Sequence, residues 1–211
     1  MEIPKTELYS VLQEFNPWWS SQPLGDLPDW ERAAGKQITQ WVASRETKRA
    51  LLLTGPRQVG KTTLYRQAIR RLLAEGHPAQ QILYATFDHP LLKLAGLERT
   101  LQAWQELFPV DTRSDTPQFL FLDEIQLVPG WQVWLKHQAD FTHGRRIAVT
   151  GSASPLRDAA TESGVGRWET IRLPTLSFGE YLRLRQIPTP DLPQVSSLRA
   201  LFEWEPAAFA R

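Results

Sequence analysis

The stretch with the most pointed chemistry is "GPRQVGKTT", residues 55 to 63. It has glycine at 55 and 60, lysine at 61 and a hydroxyl at 62, the spacing G-x-x-x-x-G-K-[ST]. It follows the apolar run "ALLLT" and opens a stretch with helical periodicity, the setting in which this pattern forms a phosphate-binding loop. Gly55 and Gly60 allow turns that a Cβ would obstruct. Gly55, Pro56, Arg57, Gln58, Val59, Gly60, Lys61, Thr62 and Thr63 can then wrap around phosphate oxygens, with backbone N–H groups as donors. The start of the helix adds its positive dipole end. Lys61 reads as the cation for the β- and γ-phosphates of ATP, and Thr62 as a ligand for Mg²⁺. The bland alternative, a glycine-rich turn that binds nothing, is disfavoured by the strand-loop-helix setting.

A second stretch, "FLFLDEIQ", puts Asp123 and Glu124 at the C-terminal end of an apolar run, where ligands of an α/β sheet gather. Asp123 reads as the partner of Mg²⁺, directly or through water. Glu124 reads as the base that polarises a water in line with the γ-phosphate. An adjacent acidic pair suits hydrolysis more than transfer to a bound acceptor, although such a pair elsewhere is often a solvated turn. A third stretch, "VTGSAS", supplies a hydroxyl, Thr150 or Ser152, for a sensor contact to the γ-phosphate or the attacking water. Ser152 is the favoured one, and a plain strand-ending turn is the alternative.

These side chains need elements to hold them. Strands are expected at 50 to 55, 81 to 88, 117 to 124, 146 to 153 and 169 to 176. The first four are near-continuous apolar runs, as strands buried on both faces of a parallel sheet read. "KTTLYRQAIRRLLAEGHP" predicts a helix with a stripe of Leu64, Ala68, Leu72 and Leu73, ended by Gly76 and Pro78. A further helix is expected from about Asp29, as N-cap, to Arg45, with Ile38, Trp41 and Val42 at helical spacing. The expectation is a three-layer α/β fold. The chain divides into residues 1–48, a Trp- and Pro-rich segment with a helix packing on the core; 49–184, the nucleotide-binding domain; and 185–211, a linker and helix.

With 211 residues, 42% hydrophobic, the chain can bury one ordinary core. A net charge of +1 advertises no nucleic-acid field. The absence of cysteine excludes disulfides, thiolate metal sites and a cysteine nucleophile. Neither an export signal nor a spanning apolar run is present, so the reading is a cytoplasmic protein with no membrane partner. Trp18, Trp19, Trp30 and Trp41 precede the loop. They read as anchors pinning a coil to the protein surface, with a nucleobase-stacking platform as the sharper alternative.

The order "NPWW", "GPRQVGKTT", "YATFDHP", "FLFLDEIQLVPGWQVWLK", "VTGSAS", "GRWETIRLPTLSFGEYL" resembles the bacterial and archaeal AAA-type ATPases that often carry a C-terminal domain of unknown function. The resemblance runs over nearly the whole chain. It implies an AAA+-like P-loop NTPase fold, a central parallel five-stranded sheet with the loop-bearing strand flanked by the fourth and fifth. It also points to Gly166-Arg167 as the family's Gly-Arg element. Arg167 would act as a finger or sensor, across a subunit boundary of a homo-oligomer or within its own site, the alternative being a surface pair with Glu162 or Glu169. The usual C-terminal domain is not recognisable, since "LRALFEWEPAAFAR" simply stops, and the chain reads as a fragment or a short member. The function implied is Mg²⁺-dependent ATP hydrolysis by a switch or motor module. The alternative is an ATP-gated module that binds a protein or nucleic acid with negligible turnover.

Overall fold

Leu51, Leu52 and Leu53 have no solvent exposure at all, and the sheet is built outward from them. The computed structural model describes residues 3–44, 50–109, 117–142, 144–151 and 167–188. Five parallel strands, β1 (Ala50–Thr54), β2 (Ile82–Thr86), β3 (Gln118–Asp123), β4 (Arg145–Gly151) and β5 (Trp168–Arg172), lie in the order β2-β3-β4-β1-β5. In the register Leu52 stands between Val149 of β4 and Thr170 of β5, and Leu120 of β3 between Leu83 and Ile147. Every residue of β1 and β3 is buried, as apolar runs covered on both faces should be, whereas β5 at the edge exposes Glu169, Thr170 and Arg172. The loop-bearing strand is flanked by the fourth and fifth strands, as expected.

Helices cover the sheet: α1 (Lys5–Phe15), α2 (Ala33–Ala43), α3 (Lys61–Ala74), α4 (Pro90–Leu107) and α5 (Trp131–Phe141). In α3 the residues Leu64, Tyr65, Ala68, Ile69 and Leu72 form the buried stripe. It ends in a Schellman motif. The His77 N–H donates to Leu72 O and the Gly76 N–H to Leu73 O, with Gly76 in the left-handed region at φ 85°. α4 starts on Pro90 and is broken at Gly96, whose φ of 73° interrupts the helical backbone.

Two expectations change. The helix expected from Asp29 begins at Ala33: the Gln67 side chain donates to the carbonyls of Pro28 and Trp30, both at 2.9 Å, and the backbone is still extended at Arg32. The residues ahead of "NPWW", read as coil, form α1. Leu8, Val11 and Leu12 are buried there, and Lys5 and Tyr9 tie the helix to Glu106 of α4 at 2.7 and 2.6 Å.

The chain divides into two units after Thr175. Within the second, a short helix α6 (Phe178–Leu184) starts on a capping box of Ser177 and Glu180. Most of the segment 185–211 lies outside the described residues.

Candidate nucleotide site

The loop leaves β1 at Gly55 and enters α3 at Lys61. A Cβ on Gly55 would sit 2.3 Å from the carbonyl oxygen of Leu173, so glycine is required by the close approach of the chain leaving β5. That reason differs from the turn expected there. Gly60 is the conformational glycine, at φ 94°, and Gln58 also takes the left-handed region at φ 61°. From the N-terminal segment, the buried Arg32 donates to Val59 O in the loop at 3.0 Å, and to Pro174 O and Thr175 O at 2.8 and 3.2 Å. One guanidinium thus braces the loop against the segment that follows β5. Five donors in a rigid fork suit that task.

The loop borders a cleft of about 610 Å³ lined by Arg57, Gln58, Gly60, Lys61, Thr62, Thr63, Tyr84, Thr86, Asp88, Asp123 and Glu124. Lys61 is buried, with its ammonium donating to Gly55 O at 3.0 Å and Pro56 O at 2.7 Å. Three N–H groups serve that nitrogen, so one remains for an anion in the cleft. Asp123, at the end of β3, is 2% exposed. Its Oδ2 accepts from the Thr62 hydroxyl at 2.6 Å and the Tyr84 phenol at 3.0 Å, and its Oδ1 accepts from the Thr150 hydroxyl and from the Glu124 N–H at 3.1 Å. Burial, and then the Asp123 charge, push the Tyr84 phenol well above the ordinary tyrosine value, and Tyr65 beneath it likewise. Tyr84 is therefore a donor at every working pH.

Glu124 stands at φ 53°, ψ 40°, a left-handed conformation that costs a non-glycine residue about 1 to 2 kcal/mol. Such strain concentrates at functional sites. Its N–H also reaches the Thr150 Oγ1 at 3.3 Å, and its carboxylate accepts from Gln126 Nε2 at 2.5 Å.

Of the residues singled out from spacing, the loop, Asp123 and Glu124 converge on one cleft. Val59 faces inward, half-buried against the core, and contributes its carbonyl to Arg32. Ser152 lies outside the described residues, and Thr150 is the hydroxyl that the structure places against Asp123 and Glu124. Arg167 is not brought to the cleft. It precedes β5, beside the start of β1, where its carbonyl accepts from Ala50 N–H. Its guanidinium Nε donates to both oxygens of Asp140 at 2.9 and 3.0 Å, and of the two glutamates considered from sequence Glu162 lies outside the described residues. The loop follows the other end of β1, roughly 16 Å of strand away, beyond the reach of this side chain. Tyr84 and Arg32 carry no site signal in the sequence, because only the sheet order and the path of the N-terminal segment bring them there.

Thr62 and Asp123 offer hard oxygen donors side by side on the cleft wall. Mg²⁺ keeps several waters and takes one or two carboxylates plus substrate phosphates, so this pair fits it. Among the described residues no group of three or more His, Cys, Asp or Glu could hold a metal, so an all-protein cage is not built there.

A parallel sheet with this loop opening α3, and an acidic pair at the end of β3 across the cleft, defines a P-loop nucleotide-binding protein. A family model described as an AAA domain matches residues 47–182, and the chain belongs to that family. An uncharacterised protein of Haemophilus influenzae is 27% identical over 71% of this chain and 37% of its own length. Another, from Methanocaldococcus jannaschii, is 33% identical over 66% of this chain and 28% of its own. The chain thus spans about a third of the curated relatives it matches. An Hsp104 chain from a closed-state reconstruction with ATPγS and FITC casein superposes with a TM-score of 0.51 at 16% identity, covering 83% of this chain and 31% of that one. That likeness shows the AAA+ fold. Among the described residues no helix is long and apolar enough to cross a membrane.

Proposed function

We propose that the cleft binds ATP with Mg²⁺ and hydrolyses it, and that the module works as a switch or motor for whatever the rest of its protein carries. The observation that supports this most is the convergence of Lys61, Thr62, Asp123 and Glu124 on one cleft. Lys61 neutralises the β- and γ-phosphates. Thr62 and Asp123 hold the cation, which when bound screens phosphate charge as it develops. Glu124 takes the proton of the attacking water, its carboxylate oriented by Gln126 and its backbone by Asp123 and Thr150. A sensor role for the Thr150 hydroxyl is supported by its position on β4, between the loop strand and the Asp123 strand, and by its contact with Asp123.

The position of Arg167 favours a second reading in one respect. With that arginine remote from the cleft, an isolated chain has no finger from it, and turnover would be slow unless a second copy supplies one. A module gated by ATP binding would then bind a protein or nucleic-acid partner with negligible turnover.

Binding is tested by thermal unfolding with and without Mg²⁺ and ATP. Charge-assisted hydrogen bonds are worth roughly 1.5 to 3 kcal/mol, so Lys61→Ala should lose tenfold or more in affinity. Equal stabilisation of the wild type and the variant would refute the role of Lys61.

A further inference from the structure

We propose that Tyr84 is a positioning residue for Asp123, and that the segment Asn16 to Trp19 sets Tyr84 by acting as a side-chain neighbour to the outer edge of β2. This deepens the Mg²⁺-nucleotide reading of the cleft and rests on it. β2 is an edge strand of the sheet and pairs with β3. The outer backbone groups of such a strand need partners from elsewhere. Here side chains supply them at the strand's own period of two. Asn16 accepts from the Tyr84 N–H on Oδ1 at 2.7 Å and donates from Nδ2 to Tyr84 O at 2.8 Å. Trp18 and Trp19 both donate from Nε1 to Ile82 O, at 3.1 and 2.9 Å.

The clamp is itself fixed. Asn16 is 1% exposed and also donates from Nδ2 to Leu12 O, at 2.7 Å, in the last turn of α1. An amide that bonds both peptide groups of one residue holds it much as a paired strand would. The residue so held is the one whose phenol donates to Asp123 Oδ2, and Phe15 packs edge-on against its ring at 6.3 Å between centroids. Thr62 has its own task at the cation, and Thr150 holds the other carboxylate oxygen. Tyr84 is the partner that keeps Oδ2 aimed. Partners of this kind, one shell out from a metal, typically account for 10- to 100-fold in metal affinity.

The test is a titration of Mn²⁺ into the full chain with ADP present, with free Mn²⁺ read from its electron paramagnetic resonance signal and thermal unfolding recorded on the same samples. Tyr84→Phe keeps the ring and removes the hydroxyl. It should bind Mn²⁺ roughly 10- to 100-fold more weakly, with a melting temperature lowered by no more than roughly 2 to 4 °C. Asn16→Ala, or Asn16→Asp if the first does not fold, should weaken Mn²⁺ in the same direction. The double variant should lose no more than the larger single loss, as coupled residues do. A Tyr84→Phe protein whose melting temperature falls while its Mn²⁺ midpoint stays put overturns the positioning role. Fully additive losses overturn the link from Asn16 through Tyr84. If the wild type itself takes up no Mn²⁺ with ADP, the nucleotide reading fails, and the proposal with it.

Discussion

At the C-terminal ends of the strands, Asp123 is 2% exposed and takes hydrogen bonds from Thr62, Tyr84 and Thr150, whereas at the N-terminal ends Arg167 and Asp140 meet with 34% and 32% of their side chains exposed. Both are charged sites on one sheet. In the first, burial makes each missing donor costly, because a buried oxygen that loses its partner has no water to replace it. In the second, water screens the pair and would satisfy either member alone. The contrast teaches that charge near a motif is not itself a functional signal. What separates the two ends is how completely the surrounding chain orients the charge.

Substitutions at each end separate the two sites. The largest effect on stability should come from Gly55→Ala, which drives a methyl to within 2.3 Å of Leu173 O. Backbone cannot swing aside as a side chain does, and overpacking of this kind costs about 1 to 3 kcal/mol. For a chain of this size that lowers the melting temperature by roughly 3 to 10 °C. Calorimetry showing no change would mean that the loop and the segment after β5 are not packed as described.

A comparable effect is expected from Arg32→Leu. It leaves the carbonyls of Val59, Pro174 and Thr175 without their charged donor, a loss of about 2 kcal/mol. ATP affinity should fall with stability, since Val59 lies in the loop. A variant that unfolds earlier yet binds ATP as the wild type does would confine Arg32 to holding the N-terminal segment in place.

The smallest effect belongs to the other end. Arg167→Ala breaks an exposed pair worth at most about 1 kcal/mol, and should leave the turnover of the isolated chain as it was. A finger supplied across a subunit boundary makes the opposite expectation. Turnover per chain would then rise with protein concentration, and Arg167→Ala subunits would poison the wild type. A loss of turnover on Arg167→Ala at a fixed, dilute concentration would contradict the contrast between the ends.

The loop was legible because its constraints are local: the residues from Gly55 to Thr62 must turn, donate and start a helix in one continuous run. Asp123 and Glu124 were legible because an apolar run ending in acid marks a strand end. Choosing between Thr150 and Ser152 depends on strand register, which spacing along the chain does not carry. Tyr84 and Arg32 reach the cleft region through topology, from an edge strand and from a segment more than twenty residues ahead of the loop. α1 was obscured by the prolines and tryptophans around it, although Leu8, Val11, Leu12 and Phe15 carry helical spacing. Arg167 shows the reverse case, where the strand's direction sets a residue singled out by a family pattern at the far end of the sheet from its own cleft and leaves only a role across a subunit boundary to test.

Hydrolysis by the buried Asp123 and the half-buried Glu124 is tested by measuring ATP turnover of Glu124→Gln beside its ATP affinity. The amide keeps the size and the hydrogen-bonding reach of the glutamate but cannot accept the proton. Turnover should fall by about 10² to 10⁴ while ATP with Mg²⁺ binds as it does to the wild type. Turnover at the wild-type rate with intact binding would contradict the account and place the base elsewhere.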